Sequence, residues 1–556
     1  MITSAFPSML LFLTSLVSAK TVSYNWDVTW VTAAPDGFAR AVIGVNGKWP
    51  CPPINADVGD TVVVTLNNLL GNETTGLHFH GIRQLHTNDM DGNSGATQCP
   101  VPPGSSITYK FLADSPGTYW YHSHNMGQYP DGFRGPLIVH DPNDPYKGEY
   151  DEELILTISD WYHDQAIFLV QNMLQASNTD FSPPFPESIL VNDGQSSNFN
   201  FVKGKTYRIR IISYSAFASS FVYFDSHTLQ VISIDATYIQ EAEATQLRVS
   251  PSQRVDVLIS ALDEDQNYPY LVALDTNKDF TKPGVFSLNF TGHVVTDCNK
   301  PATGTTTVGV WHPVDDSYFI PLDKADRYEP VDRTIVLDFE FCRDENDIPR
   351  ACFNGQPYIS QKVPTLYSVA TTGASNTDPT IYGDINPFVI SYGEVVQIVI
   401  NNKDEAIHPF HLHGHQFQVV GRPASGSGDW VKNGDYPAQP ARRDVIDVMG
   451  NSHAVIRFEA TNPGVFLFHC HIEWHVEMGL TATLIVAPDR LRDIKFPADH
   501  IHNCEIQDIP IAGNAAGSRS NFTSRTGFIT VPDLVYTGSL YAAPASRSRV
   551  VKRLLE

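Results

Sequence analysis

Eight of the chain's twenty histidines stand in four His-x-His pairs: His78/His80, His122/His124, His411/His413 and His469/His471. Side chains alternate across an extended strand, so residues two apart share a face, and each pair aims two imidazoles at one point. A single pair reads as two solvated histidines on a strand. Four pairs in two matched copies read as a metal cluster. Cys470 lies between His469 and His471, so its thiol faces the other way and one short strand touches two sites. His408 is an odd number of residues from His411 and His413 and points away from them if the segment is extended, and His475 lies in the turn beyond. Cys470, His408 and His475 thus form a His₂Cys set. Such a set, with a weak or missing axial ligand, suits electron-transfer copper, and imidazole-rich sites also suit copper. Zinc is the rival metal, but a carboxylate-free cluster of eight histidines joined by one strand to a thiolate is not its usual arrangement.

The elements that must hold these residues also repeat. Gly76-Leu77-His78-Phe79-His80-Gly81 and then Ser115-Pro116-Gly117-Thr118-Tyr119-Trp120-Tyr121-His122-Ser123-His124 come early; Pro409-Phe410-His411-Leu412-His413-Gly414 and then Asn462-Pro463-Gly464-Val465-Phe466-Leu467-Phe468-His469-Cys470-His471 come late. Each copy includes a β-branched run, over 61–66 and 395–400, that predicts a strand. Runs at 154–159, 206–212, 229–234 and 255–259 predict further strands between the copies. There Asn267-Tyr268-Pro269-Tyr270-Leu271-Val272 occupies the place of a His-x-His strand without paired histidines. The pattern predicts an all-β chain of three β-sandwich domains over 20–145, 146–297 and 332–490. A Thr/Pro/Gly-rich linker over 298–331 and a tail over 491–556 complete it.

Lys plus Arg number 37 against 61 for Asp plus Glu, a net charge of −24. That surface cannot neutralise phosphates, which excludes nucleic acid and anionic membranes as partners. An apolar run from Met9 to Val17, followed by Val17-Ser18-Ala19, predicts a signal peptide over 1–19 and an extracellular or cell-wall location. No later stretch is long enough for a membrane span, and Arg547, Arg549, Lys552 and Arg553 leave no apolar tail for a lipid anchor. Asn72, Asn289 and Asn521 open glycan-acceptor triplets. Of seven cysteines, Cys470 is spent on metal, and the other six could pair in fifteen ways.

These motifs, in this order and across the whole mature chain, resemble the multicopper oxidases. The resemblance implies three cupredoxin-like domains and four copper ions. Type 1 copper would take His408, Cys470 and His475; type 2, His78 and His411; the type 3 pair, His80, His122, His124, His413, His469 and His471. The axial position falls on Leu480, with Met478 a packing residue. Electrons would enter singly at the type 1 site and pass through Cys470 to the cluster, where four of them reduce dioxygen to two waters. Asp91 and Glu473 match the carboxylates that supply protons. Cys99 would pair with Cys504.

Two branches of that family differ in donor. Iron-uptake ferroxidases hold Fe(II) between carboxylates, and the match along the chain is strong, for instance at Arg442-Arg443-Asp444. Asp404 falls on an iron-site carboxylate, and Asp275 and Asp279 lie near another. The branch's glutamate, however, falls on Pro183, whereas Glu187, five residues before Asn192, matches the acid that takes the phenol proton in laccases. The expected function is therefore a secreted laccase-like oxidase of small phenolic donors. A ferroxidase serving an iron permease is the alternative, and a non-catalytic copper-binding protein a further one.

Overall fold

A computed structural model describes residues 19–264, 266–275, 288–304, 307–432, 434–532 and 540–541. The predicted leader up to Ser18, Asp279 and the basic residues from Arg547 onward lie outside the described residues. Six sheets form three two-sheet sandwiches, of four plus four, six plus five and six plus five strands. One topology repeats in all three. A long first strand pairs in parallel with a later one: Thr21–Ala33 with Thr61–Asn68, Glu152–Trp161 with Thr206–Ser213, and Arg333–Arg343 with Val395–Asn402. Along Thr61–Asn68 burial alternates residue by residue, with Val62, Val64 and Leu66 buried, as a half-buried strand requires. The linker expected over 298–331 holds no strand among its described residues.

In the first sandwich, strand β1 (His78–His80) ends its sheet and pairs antiparallel with β2 (Gly117–His122), setting His78 opposite His122. In the third, β3 (His408–Leu412) lies between β4 (Val445–Val448) and β5 (Gly464–Cys470), with His411 opposite His469. Helix α1 (Glu473–Glu477) follows β5 directly. The two histidine-bearing corners meet. The His80 and His411 rings stack at 3.9 Å, and those of His78 and His413 are 4.1 Å apart. The second sandwich carries Tyr268–Leu274 in the corresponding place and brings no paired histidines.

The tail is not a loose appendage. Helix α2 (Ala498–Glu505) packs on strand Ser106–Leu112 of the first sandwich, where Asp499 Oδ2 accepts from Thr108 N at 2.8 Å and Asn503 Nδ2 donates to Ser106 O at 3.1 Å. Cys99 and Cys504 are disulfide-bonded there, as are Cys342 and Cys352 across adjacent strands. Cys51 and Cys298 remain free, so the six non-ligand cysteines do not all pair. Cys51 is buried in the first sandwich against the carbonyls of Ile43 and Gly132, while Cys298 is exposed.

The Cys99–Cys504 bond closes 405 residues of chain, so the chain-entropy estimate puts an upper bound of about 6 kcal/mol on its stabilisation. The Cys99→Ser/Cys504→Ser protein should unfold at a Tm several degrees lower in a thermal scan. An unchanged Tm would mean that the packing of α2 alone holds the tail.

Candidate metal centre

Five of the eight imidazoles in the cluster are held by their Nδ1 atoms. His78 Nδ1 donates to Asp91 O (2.7 Å), His122 Nδ1 to Ser123 O (2.9 Å), His411 Nδ1 to Asp444 O (2.8 Å) and His469 Nδ1 to Cys470 O (2.8 Å). His413 Nδ1 donates to Asp91 Oδ2 at 3.0 Å. A carbonyl can only accept, so these contacts put the ring proton on Nδ1 and leave a lone pair on Nε2. Nε2 of His78, His122 and His411, Nδ1 of His80 and both ring nitrogens of His471 are buried with no hydrogen-bond partner. His413 Nε2 and His469 Nε2 face each other at 3.0 Å. Two lone pairs at that separation repel unless a cation lies between them. Burial first, and then the neighbouring imidazoles, push His80, His122, His124, His411, His413 and His471 well below the ordinary histidine pKa, and His469 down to about 4. The rings are therefore neutral and able to bind metal. Ligand atoms gather within 4.8 Å in three histidine sets: His78/His411/His413, His78/His80/His122 and His124/His413/His469. The donor set fits transition-metal ions of the copper type.

A second set lies on the other face of β5. Cys470 Sγ is 3.8 Å from His408 Nδ1 and 3.6 Å from His475 Nδ1, with all three residues buried. His408 turns away from His411 as an extended segment requires, and its Nε2 lies 2.9 Å from Asp404 Oδ2. Leu480 is fully buried and its carbonyl accepts from Cys470 N at 3.2 Å. Leu480 and Met478 both belong to the same apolar core as Cys470.

Beside this set opens a pocket of about 420 Å³ whose walls include His408 and His475, the apolar Phe217 and Phe341, and the carboxylates Asp180, Asp275 and Asp404. Burial raises the Asp404 carboxyl, but the His408 hydrogen bond and charge, with the Ala406 and Glu405 amides, outweigh it and hold the group well below the usual carboxylate range. Asp275 is clamped by Arg248, whose Nε donates to its Oδ2 at 2.9 Å and whose Nη1 donates to Asp447 Oδ2 at 2.6 Å. The other oxygen of Asp275 is buried without a partner.

Asp180 was not among the residues singled out in the sequence. It is three residues before Pro183, on a loop where Asn178 Oδ1 accepts from Ser182 N and its Nδ2 donates to Ser182 O, both at 3.0 Å. Phe181 adopts φ 54° there, with its ring on Phe341. Strain of this kind persists only where packing enforces it, and here it sets Asp180 on the pocket wall. Pro183 does line the pocket, so the position that carries no acid is compensated by one a few residues earlier. Glu187 does not line it. Its Oε2 accepts from His163 N at 3.1 Å, and its own N–H donates to Trp161 O at 2.9 Å. Pairing of Ser188–Val191 with Glu152–Trp161 turns Glu187 into the His163 corner.

Of the two candidates for proton supply, Asp91 lies against the histidine cluster, and Glu473 opens α1 just beyond it. Asp91 contacts His413 as above, and its buried Oδ1 makes no hydrogen bond but lies 3.4 Å from His78 Nδ1. Burial and then the Glu477 charge push the Glu473 carboxyl well above the ordinary range. The sequence reading also missed a buried charge node. Arg254 Nη1 donates to Asp444 Oδ1 (2.7 Å) and Arg254 Nε to Thr118 O (3.0 Å), while Arg443 Nε donates to Asp235 Oδ2 (2.8 Å). The Gly in the His-x-His-Gly motif is required here: Gly81 has φ +88°, and a Cβ would meet Arg254 Nη2 at 2.7 Å and Asp444 Oδ2 at 2.9 Å.

Family models described as multicopper oxidase match residues 27–144, 152–288 and 358–490. The iron transport multicopper oxidase fetC of Epichloe festucae is 44% identical over 532 residues, which is 94% of this chain and 86% of that protein. The iron transport multicopper oxidase FET3 of Saccharomyces cerevisiae is 36% identical, over 94% of this chain and 84% of its own. Among solved structures, Fet3p, a multicopper oxidase that functions in iron import, superposes with a TM-score of 0.88 at 34% identity, covering 91% of this chain and 98% of its own. A laccase from Botrytis aclada gives 0.75 at 27%, over 88% and 92%. The expectation of a laccase is thereby corrected: the relatives are iron transport oxidases, and the iron-import structure superposes more closely than the laccase.

The neutral histidines make the copper-free protein acid-sensitive. Their folded pKa values lie below the ordinary 6.5, so below about pH 6.5 the unfolded chain binds more protons and stability falls as pH falls, by about 1.4 kcal/mol per pH unit for each group. Thermal unfolding of copper-free protein should give a clearly lower Tm at about pH 5.5 than at about pH 7.5. Equal values would contradict a cluster of neutral buried imidazoles.

Proposed function

The chain belongs to the multicopper oxidase family, a copper-dependent oxidoreductase of three cupredoxin-like domains with dioxygen as acceptor, and we propose that within it the protein is a ferroxidase oxidising Fe(II) to Fe(III). The observation that carries this reading is the ring of carboxylates, Asp180, Asp275 and Asp404, around the pocket that reaches His408 and His475. Carboxylate oxygens suit hard cations, and by Coulomb's law they stabilise Fe(III) more than Fe(II). Binding there makes iron a stronger reductant. Glu187, the residue that matched the acceptor of a phenol's proton, does not line this pocket.

We assign His408, Cys470 and His475 to type 1 copper, His78 and His411 to type 2, and His80, His122, His124, His413, His469 and His471 to the type 3 pair. When bound, the metal supplies one-electron chemistry, accepting electrons singly at the His₂Cys set and delivering four to dioxygen at the cluster. Asp404 contacts substrate on one side and, through its hydrogen bond, His408 on the other, so it both holds the iron and couples it to the ligand. Cys470 is joined through the backbone to His469 and His471, which makes one covalent path between the two sets. We assign the passing of protons to the forming water to Glu473, whose carboxyl burial pushes well above the ordinary range, and to Asp91, which accepts from His413. We further propose that the protein acts outside the cell, its segment 1–19 serving as a leader, and that an iron permease takes its product.

Oxygen uptake with Fe(II) and with a panel of phenols tests the reading. Fe(II) should give the higher kcat/KM, and Asp404→Ala should lower it on the order of 10–100-fold while sparing phenols. Glu187→Ala should leave the iron reaction unchanged. A phenol preferred over Fe(II), or an iron reaction indifferent to Asp404, would defeat the proposal.

A further inference from the structure

The strand Thr21–Ala33 is entered through Lys20, the residue that follows the predicted leader. Lys20 and Ala19 are both exposed. Lys20 O accepts from Thr61 N at 2.9 Å, one step ahead of the parallel register that sets Thr21 beside Thr61. Lys20 N donates to Asp60 Oδ1 at 3.0 Å, and Lys20 Nζ lies 2.7 Å from Asp57 Oδ2 and 3.4 Å from Asp60 Oδ2. Although Lys20 is at the surface, the Asp60 side chain is only 1% exposed. It is fixed there on three sides. Its Oδ2 accepts from Asp57 N at 2.9 Å, its own N–H donates to Asp57 O at 3.0 Å, and its carbonyl accepts from Ala113 N at 2.9 Å. A carboxylate taken out of water needs a paired charge and good hydrogen bonds. In the uncut chain Asp60 has two amide donors and, at the limit of contact, the exposed Nζ.

We propose that the Ala19–Lys20 peptide bond is the processing site and that Asp60 is a preformed acceptor for the α-ammonium that cleavage creates. Hydrolysis by a leader peptidase consumes one water and leaves a carboxylate on Ala19. On Lys20 it leaves a full positive charge with three donors, where the amide offered one donor and no charge. Charge-assisted hydrogen bonds are roughly twice as strong as neutral ones. The charged groups facing this nitrogen are Asp60, Asp57 and the residue's own Nζ. His140, beside Asp57 in the neighbouring strand, turns instead to Glu153 Oε2 at 3.8 Å. Two carboxylates against one ammonium favour the protonated amine. The strand begins only at Thr21, so the cut tightens the start of the first sandwich instead of fraying it. The α-amine is thereby held above its ordinary pKa of about 7.7–8.0. Its stabilisation is full below that range and is lost as pH rises through the folded value.

The inference rests on the reading of 1–19 as a leader and not on copper or iron, so its test follows the amine. N-terminal sequencing of the secreted holoenzyme should give Lys20. Trace labelling with acetic anhydride over a series of pH values, read by mass spectrometry on the N-terminal peptide, should show the α-amine titrating above about 8. In Asp60→Asn it should return to the ordinary range. Asp60→Asn should also lower the Tm of the Lys20-started protein more than that of a chain left with Ala19 at its start. The measurement on the unsubstituted protein decides even if Asp60→Asn does not fold. A chain that starts elsewhere would defeat the leader boundary and the inference together. A Lys20 start whose α-amine titrates in the ordinary range, or is indifferent to Asp60→Asn, would overturn the inference alone.

Discussion

The two halves of the histidine cluster belong to different sandwiches, and the Arg254–Asp444 ion pair is what fixes one against the other. Arg254 comes from the second sandwich, bonds the Thr118 carbonyl of the first, and grips Asp444 of the third. Asp444 in turn accepts from His411 through its backbone oxygen and lies 3.3 Å from His80 Nε2 through its carboxylate. One buried guanidinium therefore sets the relative position of two imidazoles that come from opposite ends of the chain. Breaking such a pair by removing one partner costs about 3–5 kcal/mol because it strands a buried charge. Gly81 is the steric counterpart, since any side chain there would occupy the space of the pair.

The pocket beside the His₂Cys set uses the same device on the next boundary. Arg248 of the second sandwich holds Asp275 of that sandwich and Asp447 of the third, and Ser250 Oγ donates to Asp447 Oδ2 at 2.8 Å. The second sandwich keeps no metal histidines but supplies the clamp for both sites. Its loop around Phe181 is tied to the third sandwich as well, where Arg343 Nη2 donates to Asn178 O at 2.8 Å. The repeat without metal ligands is thus the spacer that brings the other two to working distance.

The history of Pro183 and Glu187 shows how position in the chain can mislead. Counting residues put an acid at 187 and none at 183, which favoured a phenol. A pocket, however, is filled by whatever side chains reach it. Asp180 reaches it because an Asn178-stapled turn and a left-handed Phe181 bend the loop inward, while strand pairing carries Glu187 away.

Local rules made the copper chemistry legible. Two-residue alternation places His469 and His471 on one face of a strand and Cys470 on the other, and the doubled motifs announced a repeated sandwich, so the fold class and the gathering of the paired histidines needed no coordinates. The acidic pocket did not follow, because Asp180, Asp275 and Asp404 are far apart in the chain and meet only where two sandwiches pack. Nor did the Arg254–Asp444 and Arg248–Asp275 pairs. Periodicity governs what one strand presents to its two faces; which faces meet is decided by packing between sandwiches, and that information exists only in the tertiary structure.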